Sequence, residues 1–229
     1  MRMMRISGSR RKFNTSIVRT RCLALCALGA LTLCHSGSAA DKAPPPAQPA
    51  TTYLDADTHP AEHVSIAAEP FTGSRAAFFH LNYPAYGLMP VRMIITNDGD
   101  TPISLSQARI DFITAAGDKI PAAQIEDVER MINTPPNPGT KIPLGPIPIT
   151  VGGKGKNKDK QIKADFDAYG FGSIAVEPHT THAGFFFYDV SGIDHPLIGA
   201  KLEVREVQTS DGRQMFAFEV PFYKLGVNY

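Results

Sequence analysis

Tryptophan is absent from this sequence, and its three cysteines, Cys22, Cys26 and Cys34, all fall within the first forty residues. Those forty residues contain no aspartate or glutamate. The longest apolar run is short of the roughly 20 residues that a membrane-spanning helix needs. Each absence excludes something. The Cys–Trp–Cys signature of antibody domains cannot form. Beyond position 34 there are no cysteine nucleophiles and no thiolate metal ligands. An exported domain without disulfides is held together by its core.

The first forty residues have the layout of a signal peptide. Seven basic residues (Arg2, Arg5, Arg10, Arg11, Lys12, Arg19 and Arg21) precede an apolar run from Cys22 to Leu33, and small residues follow from Ser36 to Ala40. Charged, apolar and small-residue regions in that order direct export and removal of the leader. Cleavage after Ala40 places Ser38 at −3 and Ala40 at −1 and leaves no transmembrane span. Ser9-Arg10-Arg11-Lys12-Phe13 resembles the twin-arginine export motif, although Arg19 and Arg21 stand before the apolar run. Leu31-Thr32-Leu33-Cys34 is a partial lipidation signal, with Leu33 where a small residue belongs, so cleavage is preferred over anchoring at Cys34. The expected location is periplasmic or otherwise extracytoplasmic.

Without the leader, 16 basic and 22 acidic residues remain, a formal charge of −6. Nucleic acid needs a basic footprint and is excluded as a partner. Ala43 to Ala50 reads A-P-P-P-A-Q-P-A, the composition of an extended, semi-rigid tether. The expected organisation is a signal peptide over 1–40, a Pro/Ala-rich linker over 41–62, and a single β-sandwich domain over 63–229 with an insertion at about 133–170.

The strand signals are numerous. Val64–Ala68, Ala76–His80, Leu88–Thr96, Ile103–Leu105, Ala108–Ile113, Ser173–Val176, Ala183–Val190, Ala200–Val207 and Gln214–Phe222 all read as β. Turn residues at Asn97–Asp100, Ala116–Asp118 and Thr209–Gly212 separate them, the spacing of an all-β sandwich. Phe185, Phe186, Phe187 and Tyr188 stand in a row, so both faces of that segment are apolar and a central strand is expected. Ile125, Val128 and Ile132 predict a short helix that begins at Pro121, with a Glu126–Arg130 pair on its outer face. Six prolines between Asn133 and Thr150 resist regular structure apart from an edge strand at Ile147–Val151. Gly152–Lys160 reads as a flexible basic loop, and Ile162, Phe166 and Tyr169 predict a helix from about Lys158, stopped by Gly170.

Several patterns approach known chemistry. His59-Pro60-Ala61-Glu62-His63 fits H-x-x-E-H, but that zinc site needs a helix, and Pro60 and the β run at Val64 argue for a turn. His179 and His182 precede the aromatic run and His195 follows it; His179 and His182 form a candidate metal pair in a turn. His80, Met89 and Met93 offer soft ligands, although the methionines suit a strand core. The Gly152–Asn157 segment lacks the first glycine and the Ser/Thr of a phosphate-binding loop. Ser173 lacks the setting of a nucleophile elbow. Asp165, Asp167, Asp189 and Asp194 show no pairing that spacing can identify. Lys154, Lys156, Lys158, Lys160 and Lys163 form a basic patch on an acidic domain, suited to an anionic partner.

Leu88–Asp100 (L-M-P-V-R-M-I-I-T-N-D-G-D) and Val176–Val190 (V-E-P-H-T-T-H-A-G-F-F-F-Y-D-V) resemble exported immunoglobulin-like modules of bacterial envelope proteins. The resemblance spans Val64 to Tyr223 without the insertion. It implies an immunoglobulin-like antiparallel β-sandwich, with one or two short helices in an inserted connection, and it carries over no catalytic residue. The expected function is non-catalytic: an envelope protein that needs no cofactor and binds or scaffolds another macromolecule. The contact would be made by Lys154, Lys156, Lys158 and Lys160 or by exposed strand edges, with an envelope protein, a glycan or a lipid headgroup. The alternative is a periplasmic metal-binding module or metal-dependent enzyme using His179 and His182.

Overall fold

The computed structural model describes residues 43–134 and 155–222. The leader, the edge strand expected at Ile147–Val151 and Lys154 lie outside the described residues. Within them the chain is mostly β. Eleven strands form three antiparallel sheets, and two helices accompany them.

The first sheet has the order β1 (Asp57–His59), β2 (Val64–Pro70), β3 (Leu88–Asn97), β8 (Thr180–Asp189). The second runs β11 (Phe218–Pro221), β9 (Lys201–Arg205), β5 (Arg109–Ile113), β6 (Lys119–Pro121). The third is small: β10 (Gln208–Thr209), β4 (Ile103–Ser104), β7 (Ala175–Val176). Alternation sorts the residues of β3. Met89, Val91, Met93 and Ile95 face inward and meet Phe112, Leu202, Val204, Phe218 and Val220 of the second sheet in one buried core. Ile103, Val176 and Val207, from the third sheet and its flank, join the same core. An all-β sandwich is the coarse architecture.

The outer face of the first sheet is covered as well, which is why all ten residues of β3 are buried. Leu88, Phe185 and Phe187 form a second core with α1 (Ile125–Asn133) and α2 (Gly155–Tyr169), through Val128, Ile132 and Ile162. The aromatic run is therefore apolar on both faces, as expected, but it is not central. β8 ends its sheet, and β3 is the interior strand. The outer edge of β8 is occupied by other backbone: Phe171 N–H donates to Phe185 O at 3.3 Å, and Ala123 N–H donates to Phe187 O at 2.8 Å.

Other expectations change for identifiable reasons. Ala76–His80 is not a strand. A 3₁₀ turn at Gly73–Ala76 leads into a stretch where Phe78 and Phe79 both pack into one cluster, whereas strand alternation would send neighbours to opposite sides. Pro121 ends β6, and α1 starts four residues later with Gln124 as its N-cap. Arg130 pairs with Asp127 at 2.7 Å rather than with Glu126. The Gly152–Lys160 loop is helical from Gly155 onward. The segment expected as a tether is docked from Pro44 to Tyr53, with Ala50 fully buried against Ala67 and Ile94.

The outer face of the second sheet carries Lys201, Glu203 and Arg205, as the alternation predicts. Lys119–Glu203 (2.8 Å), Arg205–Asp111 (2.7 Å) and Lys201–Glu219 (2.7 Å) bind its strands crosswise. Among the described residues no helix is long and apolar enough to cross a membrane.

Candidate functional site

Helix α2 draws its helix propensity from four lysines, two alanines and Gln161, against the weaker formers Asn157, Asp159, Asp165 and Asp167. It ends at Gly170, whose N–H donates to Phe166 O at 2.9 Å. Its inner face is fixed at three places. Ile162 is fully buried. The Phe166 ring stacks on Phe187 with centroids 4.7 Å apart. Tyr169 meets Phe78 and Phe79 edge-on.

A fourth and polar anchor is Asp165, which is fully buried. Its carboxylate accepts the His80 backbone N–H at 3.1 Å from each oxygen, the His80 Nδ1–H at 2.6 Å, and the Tyr83 hydroxyl at 2.8 Å. Buried carboxylates persist when donors surround them. Burial first, then the Asp165 charge and its hydrogen bond, push the Tyr83 hydroxyl well above its ordinary pKa and keep it a donor. The Nδ1 contact fixes the orientation of the half-exposed His80 ring. The cluster orients His80 and ties α2 to the Phe78–Tyr83 connection.

Several lysines flank this inner face. Lys160 is exposed, and Lys163 is exposed and paired with Asp167 at 3.0 Å. Lys158 is half-buried, its Nζ 5.1 Å above the Tyr86 ring and 3.4 Å from Ile132 O. Asn133 of α1 donates to Asp159 at 2.6 Å and joins the two helices. Lys156 lies one turn before Lys160 on the same helix. The first turn contains Lys156 and Lys158 and no acidic residue. That charge sits at the positive end of the helix dipole, where an anionic side chain would add about 0.3–1 kcal/mol of stability. The end of α2 is electropositive in a domain of net negative charge.

The remaining candidates are placed separately. His179, with φ 56°, is exposed and its Nε2 is 3.0 Å from Asp100 Oδ1. His182 lies on β8 opposite Ile95, with the Phe171 ring edge-on at 4.7 Å. Burial holds the His182 imidazole below its ordinary pKa. His195 stands beyond the other end of β8 and lines a cleft of ≈ 200 Å³ with Asp118, Asp194 and Ile198. His59 and Glu62 flank a turn between β1 and β2, where Glu62 Oε2 is 2.8 Å from His59 Nδ1 and the imidazole stacks on Phe218. The turn replaces the helix that H-x-x-E-H chemistry requires. Met89 and Met93 belong to the inner core, and His80 lies on the outer side of the first sheet. The Ser173 hydroxyl donates to Ala175 O. Gly155 opens α2 in an antiparallel fold, not the parallel sheet of a phosphate-binding loop. Among the described residues no group of three or more His, Cys, Asp or Glu side chains is placed to hold a metal ion.

The Asp165–His80–Tyr83 cluster joins residues more than eighty positions apart, so local spacing carries no signal of it. The only hint was a lone aspartate at the i+3 position from Ile162 on an apolar helix face. No protein-family model matches the chain, and no curated protein matches it.

Proposed function

We propose that this chain is an exported envelope protein that binds an anionic macromolecular partner without catalysis, through the N-terminal half of α2. The observation that carries the reading is the placement of Lys156 and Lys158 in a first turn without acidic residues, at the positive end of the helix dipole, with Lys160 in the next turn. The placement works against helix stability and favours an anion at that end. Ile162, Asp165 and Phe166 hold the helix on the core, so the charged face is presented rigidly.

Strand addition is the weaker route to binding. The edge of β8 is covered by Phe171 and Ala123, and the N–H groups of Phe216 and Glu219, at and just before β11, donate to Glu62 and Asp57. The immunoglobulin-like assignment belongs to this proposal too. Two four-stranded antiparallel sheets that share one core support it. Export by the leader, with cleavage after Ala40, supplies the extracytoplasmic setting.

The test is a pull-down from detergent-solubilised envelope, with Lys156→Glu and Lys160→Glu together as the comparison bait. A partner captured by the native chain, lost on charge reversal and released by raised salt is the expected result. Equal capture by both baits would remove the α2 face from the reading.

A further inference from the structure

Residues 44–53 show a burial pattern with a period of three. Pro44, Ala47, Ala50 and Tyr53 face the protein, and the pairs between them are exposed. A polyproline II helix has three residues per turn, so every third side chain falls on one side. Pro49, with φ −51° and ψ 138°, has that backbone form, and from Ala50 to Thr52 the chain turns into a 3₁₀ helix that keeps the three-residue period. The segment lies on the outer face of the first sheet, on a floor of Ala67, Ile94 and Ala183.

Two buried polar side chains of β3 meet this segment. Arg92 is 6% exposed; its Nη1 donates to Pro45 O at 2.8 Å and lies 4.0 Å from Glu69 Oε2. Thr96 is 4% exposed; its Oγ1 accepts the Ala50 N–H at 2.8 Å and shares a hydrogen bond with Thr181. Arg92 to Thr96 spans about 13 Å of strand. Pro45 to Ala50 spans about 16 Å in polyproline II form. The anchors therefore match a ligand of that length and shape. Both contacts are made to the segment's backbone, and Ala47 and Ala50 pack on the floor beside the larger Tyr53.

We infer that this strip of β3 is a recognition groove for extended, proline-rich peptides with small residues where Ala47 and Ala50 stand, and that Pro44–Ala50 is its built-in occupant. A partner peptide of that pattern competes with the occupant for Arg92 and Thr96. The groove lies apart from the charged face of α2 and does not depend on the proposal made for it.

The experiment uses a fluorescein-labelled peptide of residues 43–53 and the full chain. Ala50→Asp loosens the resident segment and leaves the groove unchanged. The peptide is expected to bind this variant at least tenfold tighter than the native chain by fluorescence anisotropy. A peptide N-methylated at the Ala50 nitrogen, which removes the donor to Thr96, is expected to lose that binding at least tenfold. Should Ala50→Asp fail to fold, a protease site inserted between Leu54 and Asp55 is cut after folding, and labelled peptide is exchanged for the released segment. Exchange that depends on the Ala50 N–H supports the groove. An opened, folded chain that takes up no peptide at millimolar concentration overturns it. So does a cut chain that unfolds as the segment leaves, because the segment would then be core and not ligand.

Discussion

Phe171 crosses Gly184 so closely that a Cβ on residue 184 would lie 2.4 Å from the Phe171 Cα and 2.7 Å from its nitrogen. Both atoms are backbone and cannot rotate away. Gly184 therefore lets the segment after α2 lie along the edge of β8, where Gly170 bridges to Phe185. Gly184→Ala is expected to push that segment off, at a cost of about 3 kcal/mol. An uncovered strand edge invites self-association. Urea denaturation combined with size-exclusion chromatography reads both effects, and a native-like midpoint with an unchanged elution volume would contradict this role.

Asp165 supplies the second prediction. Asp165→Asn places an amide donor among groups that themselves donate, and is expected to cost about 3 kcal/mol. Tyr83→Phe removes one charge-assisted hydrogen bond and is expected to cost about 2 kcal/mol. Because the two groups share one interaction, the double variant should lose less than the sum. A double-mutant cycle by chemical denaturation measures this, and strict additivity would show that the 2.8 Å contact contributes nothing.

Two titrating groups set distinct pH windows. The Lys119 hydrogen bond, with the charges of Arg205, Lys119 and Lys201, outweighs burial and holds Glu203 below the ordinary glutamate range. Its stabilising contribution is present above that ordinary value, near 4.3, and is lost as pH falls through the lowered one. His182 is also lowered, but by burial, so the folded chain resists its protonation. The unfolded chain then takes up the proton first, and stability falls as pH drops below about 6.5. His182→Gln should flatten the stability profile just below pH 6.5, and Glu203→Gln should flatten it below the glutamate range. Urea midpoints across pH 3 to 8 decide; identical profiles for the native chain and both variants would reject the assignments.

What the sequence made legible follows from range. β3 was readable as a strand because alternation is a local property of the chain. The faces of Phe185–Tyr188 were readable for the same reason. The position of β8 was not, because a run apolar on both faces is explained equally by an interior strand and by an edge covered with Phe171 and helices. Phe78 and Phe79 read as strand by composition, yet the helical layer draws both rings to one side. The docked segment was misread as a tether because proline and alanine compose linkers and polyproline ligands alike. Only the positions of Arg92 and Thr96, some fifty residues away, separate the two. The Asp165 cluster shares that cause: its members become neighbours only when α2 folds over the first sheet.

The last prediction concerns the edge where β11 meets β1. Asp57 Oδ2 accepts the Glu219 N–H at 2.8 Å, and Glu62 Oε1 accepts the Phe216 N–H at 3.1 Å. These carboxylates do for the strand edge what a further strand's carbonyls would do. His59, stacked on Phe218 at 3.9 Å, fixes the turn that brings them there. Phe216 beside them is 81% exposed, so an uncovered edge would lie next to an apolar ring. Asp57→Ala with Glu62→Ala should leave two N–H donors without their carboxylates, lower stability by about 0.5–1.5 kcal/mol for each lost hydrogen bond, and produce concentration-dependent association. Adding Phe216→Ser should restore solubility and leave the stability loss in place, because the ring drives association and the carboxylates hold the edge. Light scattering and denaturation on the three proteins separate these effects; a double variant that stays monomeric at high concentration would show that Asp57 and Glu62 do not guard the strand.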